Sequence, residues 1–199
     1  MNKGLIYITI DWVIEKLNFL NLVELFKFIA LKINDNNKIT TIRLAVDIFI
    51  ILKWVLIISL WFFNVKNEFI NILVWYLIFT NVYTYFYHHS WDKDLSETNF
   101  DLDRIKRRFL NLLLSIAFNV VSFAYLFAQP FANNFKWKND YSTLSESLSL
   151  SAANSLATSY DSVKSVSDCG NNLLLIQIII SFVFFTIILS NSIPQPKTD

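Results

Sequence analysis

The chain has 199 residues, of which 54% are hydrophobic and only 17% are charged, whereas soluble domains usually carry about 25% charged residues. This composition favours a protein of the lipid bilayer over a soluble domain. The formal net charge of +1 points to no class of partner, and nucleic-acid binding is not expected. A single cysteine excludes an internal disulfide and a cysteine-based metal site, and two glycines leave little room for a phosphate-binding loop.

The first segment, 1–40, is predicted to hold an amphipathic helix. Between Leu5 and Lys32, apolar residues recur at steps of three and four residues. Four charged residues lie off that apolar stripe: Asp11, Lys16, Glu24 and Lys27. The segment carries too many charges to span a bilayer, so we expect it to lie in the membrane interface.

Four apolar stretches are long enough to cross a hydrocarbon core of about 30 Å, which takes roughly 20 helical residues. The first two, at about 44–63 and 69–87, form a predicted segment 41–105 together with the basic loop that follows them. The other two, at about 109–127 and 172–190, belong to a predicted module 106–193, and a short cytoplasmic tail follows at 194–199. The predicted fold class is therefore an all-α membrane protein with four transmembrane helices.

Three polar residues lie inside the predicted spans: Asp47 and Lys53 in the first span and Asn119 in the third. Charges at membrane depth are costly and often functional. We expect Asp47 near the cytoplasmic end of its span, while Lys53 pairs with another helix or lines a crevice. If the four helices bundle by themselves, all three residues should find polar partners within the bundle.

Basic residues are concentrated before the first span and between the second and third spans. These two regions carry Lys27, Lys32, Lys38, Arg43, Lys93, Arg104, Lys106, Arg107 and Arg108. The opposite side of the membrane would carry Lys66, Lys136, Lys138 and Lys164. The positive-inside rule then predicts a multi-pass protein of the cell membrane with both termini in the cytoplasm. The segment between the third and fourth spans should face outward.

That outward segment has the order of a pore module. A serine-rich stretch, 144–157, leads through Thr158, Ser159, Tyr160 and Asp161 to Gly170 and the apolar run 173–189. A short helix, a turn and a spanning helix in this order make the re-entrant pore module of tetrameric cation channels. Outward orientation is the one that such a loop requires.

Over residues 141–191 the chain resembles the two-helix pore domain of the potassium channel superfamily, particularly its small bacterial members with four spans per subunit. The family's filter, of the type Thr-Val-Gly-Tyr-Gly-Asp, falls on Ala157, Thr158, Ser159, Tyr160 and Asp161, followed by Ser162. Gly170 takes the linker position, and the inner helix begins at Leu173. The resemblance implies a re-entrant pore helix between the third and fourth spans, a homotetramer and the conduction of monovalent cations.

The filter positions depart from the family where the chemistry lies. Ser159 and Asp161 stand at the two glycine positions, and Ala157 replaces the first threonine. Glycine permits backbone angles that other residues adopt only at a cost, so potassium selectivity is not expected. Three interpretations stay open. The first is a wider, weakly selective pore with a ring of Asp161 carboxylates. The second is a non-conducting subunit or membrane-anchored effector that keeps the channel fold. The third is a plain extracellular loop.

Enzyme function is not expected. The sequence contains no nucleophile elbow, phosphate loop, dinucleotide fingerprint or zinc spacing. His88 and His89 have no third ligand at a suitable spacing, so neither a metal nor a cofactor is expected.

Overall fold

The computed structural model describes residues 4–33, 37–91, 102–138 and 143–192. These residues are mostly helical. Seven α-helices are present among them: α1 (Leu5–Asn18), α2 (Leu22–Ile33), α3 (Lys38–Phe62), α4 (Glu68–Phe86), α5 (Leu102–Ala128), α6 (Leu144–Ser155) and α7 (Asp168–Ser192). A π-helical turn (Tyr87–Trp91) continues α4, and a 3-10 turn (Ala132–Asn134) follows α5. Two short strands, β1 (Phe135–Lys136) and β2 (Lys164–Ser165), pair in antiparallel fashion.

Four helices are long and apolar enough to cross a membrane: α3, α4, the Lys106–Ala128 part of α5 and the Asp168–Ile188 part of α7. The prediction of four such helices, compatible with a multi-pass membrane protein, is confirmed at this level. The predicted tail 194–199 and most of the basic loop between the second and third spans lie outside the described residues.

The first candidate span begins earlier than predicted. The side-chain oxygen of Asn37 accepts a hydrogen bond from the backbone N–H of Thr40 (3.3 Å), as a helix N-cap does. Because α3 therefore starts at Lys38, Asp47 lies nine residues from its first residue and Lys53 nine residues from its last. The helix therefore extends well beyond Asp47 on both sides, and the location of Asp47 near the cytoplasmic end of its span stays a prediction.

The chain divides into two compact units, Met1–Val55 and Leu56–Asp199. In the first unit, the single helix predicted from Leu5 is broken into α1 and α2. Asn21 begins α2, because its backbone carbonyl and its side-chain oxygen accept from Glu24 N–H and Val23 N–H (both 3.1 Å). Asparagine competes with helical hydrogen bonding and favours caps, a preference that the apolar periodicity alone does not register.

The second unit is organised around α5. Half of the apolar window of α5 is buried, against 28–33% for the other three candidate spans, so α5 is the central helix of this unit. Its aromatic residues Phe118, Phe123, Tyr125 and Phe127 are almost fully buried. Phe123 meets Trp75 of α4 edge-on, with ring centroids 5.6 Å apart, and both α6 and α7 also pack against α5.

Candidate functional site

The candidate site is the segment between α5 and α7. β1 follows α5 closely and β2 shortly precedes α7, and they pair Phe135 with Ser165 and Lys136 with Lys164. The chain that carries α6 therefore departs from and returns to one end of the α5–α7 pair.

Gly170 makes the return to α7 possible. The hydroxyl of Ser167 donates to Asn134 Oδ1 (2.7 Å) and accepts from the Gly170 N–H (3.0 Å). A Cβ on Gly170 would lie 2.8 Å from the carbonyl oxygen of Asn134, closer than such atoms approach. Gly170 lies in the first turn of α7, so it is not part of a linker before the helix. Its missing side chain allows this turn to pack closely against Asn134 and Ser165.

The helix α6 buries a polar face. Thr143 caps it, with its hydroxyl oxygen accepting from Glu146 N–H (3.1 Å), and the Thr143-x-x-Glu146 spacing is that of a capping box. Its buried residues are Glu146, Ser147, Leu150, Ser151 and Asn154. An ordinary surface helix buries its apolar side, so α6 must find polar partners on its neighbours.

Those partners come from α5 and α7. The Ser151 hydroxyl donates to the carbonyl of Val120 on α5 (2.7 Å). The Asn154 amide donates to the carbonyl of Leu174 (3.0 Å) and to Oε1 of Gln177 (2.8 Å) on α7. The serine-rich helix is thus bonded to both long helices of the module.

The loop after α6 begins with a Schellman motif. Thr158 N–H bonds to the carbonyl of Ala153 and Ala157 N–H to that of Asn154, both at 2.9 Å. Ala157 adopts the left-handed conformation, with φ of 55°. Glycine usually occupies this position because it carries no Cβ. Ala157 therefore holds a strained backbone at the start of the candidate filter.

The five predicted filter residues lie together in this loop. Thr158, Ser159 and Asp161 are exposed, Tyr160 is half-buried, and Val163 N–H closes a turn onto the Tyr160 carbonyl (3.2 Å). Residues 158–161 line a cleft of about 240 Å³ together with Asn154 and Lys164. The cleft thus combines hydroxyl groups with one carboxylate and one amine.

The loop backbone differs from that expected of a filter with two glycines. Among the described non-glycine residues, positive φ angles occur at Asn64 and Ala157 alone. Ser159 and Asp161, aligned with the filter glycines, do not use a left-handed conformation. The loop therefore relies on a helix cap, and not on glycine-like angles at those two positions.

The predicted intramembrane polar residues are not part of the cleft lining. Lys53 is 5% exposed, with its Nζ 6.0 Å from the ring centroid of Phe49, within reach of a cation–π interaction. Asp47 is half-buried. Asn119 is buried in α5, and its side-chain oxygen has no hydrogen-bond partner among the described residues.

Sequence reasoning missed the residues that hold α6, namely Ser151, Asn154 and Gln177, and it missed Lys164 beside Asp161. One signal was available. Gln177 is the single polar residue in the apolar run 173–180, and an isolated polar residue in a candidate span usually has a polar partner.

No protein-family model matches this chain, and no curated protein or solved structure is significantly similar to it.

Proposed function

We propose that this chain is the subunit of a homotetrameric, potassium-channel-like pore that conducts monovalent cations with weak selectivity. In this proposal α6 is a re-entrant pore helix, residues 156–163 line the ion path, and α7 is the inner helix. One loop would supply a quarter of the pore lining, so four copies complete it.

The observation that carries the proposal is the depth of the α6 C-terminus along α7. Asn154 bonds to Leu174 and Gln177, which lie six and nine residues after Asp168, the first residue of α7. At 1.5 Å per residue these contacts lie roughly 9 and 13 Å along the helix. If α7 spans the bilayer, the C-terminus of α6 lies well inside it, whereas β2 is back at the end where α7 begins.

The exposure of the loop after α6 also supports the proposal. Irregular backbone at membrane depth is tolerated only where it is buried in protein or lines a water-filled cavity. Residues 156–159 are exposed in the single subunit, so in a bilayer they require either water or further subunits around them. A symmetric pore supplies both.

The charges of the loop favour weak selectivity. A ring of Asp161 carboxylates would attract cations. Lys164 lines the same cleft and opposes that field. Hydroxyl groups at Thr158 and Ser159 would contact hydrated ions without replacing their whole hydration shell.

The remaining features of the architecture belong to the same proposal. Helix α1 exposes large apolar side chains, including Leu5, Ile6 and Trp12, and we assign it to the membrane interface. Both termini would lie in the cytoplasm and the α5–α7 connection outside the cell.

Planar bilayer recordings test the pore. We expect cation currents from the purified oligomer, and Asp161→Ala should lower the cation-over-anion permeability ratio. Asp168→Ala is the matched control, because Asp168 is also exposed but is not part of the cleft lining. Silence of a folded tetramer at both membrane faces, across voltage and pH, would overturn the proposal.

A non-conducting subunit that keeps this fold is the second candidate. It is favoured by the loop backbone, because neither Ser159 nor Asp161 adopts the conformation that glycine would supply. Under this alternative the oligomer forms and stays silent. Native mass spectrometry beside the recordings separates the two candidates.

A further inference from the structure

The amide of Gln177 is fully buried within the apolar run of α7. Its Nε2 donates to the carbonyl and the hydroxyl oxygens of Ser151 (2.9 and 2.6 Å), and its Oε1 accepts from the amide of Asn154 (2.8 Å). Both ends of one side chain are therefore used on the same helix, α6.

Each bond of this network constrains α6 in a different direction. Ser151 and Asn154 are three residues apart, so they lie on one face of α6 about one turn from each other. The Ser151 hydroxyl also reaches the Val120 carbonyl of α5. Gln177 thus fixes the rotation of α6 about its own axis and its depth along α7.

The same network ends at the loop. The carbonyl of Asn154 accepts from Ala157 N–H in the Schellman motif, and its side chain lines the cleft with Thr158 to Asp161. Asn154 therefore bonds to Gln177 and also accepts a hydrogen bond that forms the first turn of the loop.

We infer that Gln177 is the positioning residue of the loop 156–163, an amide in α7 that sets the depth and orientation of the candidate pore lining. The effect of this positioning role on ion conduction rests on the proposed function. The effect of this role on the position of the loop does not depend on that function.

The physical reason is that an apolar side chain cannot replace the hydrogen bonds of the Gln177 amide. With Gln177→Met the side-chain volume is similar and the bonds to Val120 and Leu174 remain. Ser151 loses the Gln177 donor and Asn154 loses one of its two acceptors, so both keep buried polar groups with fewer partners. Such groups carry a desolvation cost. The segment can replace the lost hydrogen bonds by moving towards water, and the loop moves with it.

The test uses a nitroxide spin label at Ser159→Cys in a Cys169→Ser background, with the full-length protein in liposomes. A second label at Phe182→Cys, on the exposed side of α7, reports whether that helix stays folded. With Gln177→Met we expect the mobile-to-immobile ratio at position 159 to rise about tenfold, as expected for losing a buried polar partner. The label at 182 should not change. Ser181→Ala, one turn further on the same buried stripe, is the matched control and should leave both labels unchanged.

Gln177→Glu gives a readout that a general packing defect does not. When protonated, the glutamic acid has one O–H donor and an acceptor oxygen, so it can keep one donor towards Ser151 and an acceptor for Asn154. When ionised, it can only accept, and the donor to Ser151 is lost. We therefore expect a lower mobile-to-immobile ratio for the label at 159 at low pH than at high pH in this variant. The native Gln177 background, which keeps Asp161 and Lys164 in the cleft, is the control and should show no such change.

The outcomes separate the two proposals. An unchanged label at 159 in folded Gln177→Met, or no pH dependence in Gln177→Glu, overturns the positioning role even if the protein conducts. A pH-switched loop in a protein without currents supports the positioning role while the pore proposal fails. If neither variant folds, Gln177 is a determinant of the whole fold and the positioning role is overturned.

Discussion

Asn81 of α4 and Ser115 of α5 exchange two hydrogen bonds inside the second unit. The Asn81 amide donates to the Ser115 carbonyl (3.0 Å), and the Ser115 hydroxyl donates to Oδ1 of Asn81 (2.8 Å). Both residues are nearly fully buried. Two apolar helices are therefore held in one register by a side-chain pair 34 residues apart in sequence.

This pair predicts an order of effects. Asn81→Ala removes both bonds, whereas Ser115→Ala removes only the bond between the side chains, so Asn81→Ala should destabilise more. The side-chain coupling should be about 0.6 kcal/mol and no more than about 1.7 kcal/mol, the average and the maximum found for such pairs in a membrane protein. A double-mutant cycle of unfolding in detergent measures it. Thr186→Val is the control, because the exposed Thr186 hydroxyl bonds only its own helix at Phe182 (2.9 Å). Equal costs for the two alanine variants would contradict the observed geometry.

Gly170 should not tolerate even alanine. The added methyl would press on the Asn134 carbonyl and on the Ser165 side chain, and overpacking of this kind costs about 1–3 kcal/mol. We expect a lower unfolding free energy and faster hydrogen exchange at Val166 N–H, which donates to the same Asn134 carbonyl (2.9 Å) next to the β1–β2 pair. Gly4→Ala is the matched control, because nothing lies within 4 Å of its new methyl. A stable Gly170→Ala protein with a protected Val166 would show that Asn134 can move away.

Ala157 and Ser159 should respond to glycine in opposite ways. Ala157→Gly relieves a left-handed backbone that costs a residue with a Cβ about 1–2 kcal/mol, so it should stabilise the protein. Ser159→Gly relieves no such strain and should cost about 0.4–1 kcal/mol through greater freedom of the unfolded chain. Thermal unfolding in detergent measures both. Stabilisation by Ser159→Gly alone would indicate a filter-like loop instead of a helix cap.

The spans could be predicted because the length of an apolar run is a local property of the chain. The bounds of α3 shifted because one capping side chain, Asn37, begins the helix before the apolar run does. The break between α1 and α2 has the same origin in Asn21. Helix ends are decided by polar side chains that compete for backbone hydrogen bonds. Hydrophobic periodicity carries no information about that competition.

The hydrogen bonds that hold α6 against α5 and α7 could not be predicted in the same way. Gln177 and Ser151 are 26 residues apart, and Ser151 and Val120 are 31 apart. The pattern of serines in α6 shows which residues could donate, but only tertiary packing shows that the polar face is the buried one. The order of helix, loop and helix was accessible from sequence, whereas the partners that fix its depth were not.

The charges of α3 give the last prediction. Lys53 and Asp47 lie symmetrically in the helix, each nine residues from one end. A charged residue at the centre of a span raises the apparent insertion free energy by about 2.5–3.5 kcal/mol, so Asp47→Leu and Lys53→Leu should improve insertion of this segment by similar amounts. Glycosylation mapping in microsomes measures the inserted fraction. Lys38→Leu, at the first residue of the helix, should have little effect. If Lys53→Leu acts and Asp47→Leu does not, the bilayer holds the shorter window 44–63, and the first turns of α3 lie outside the hydrocarbon.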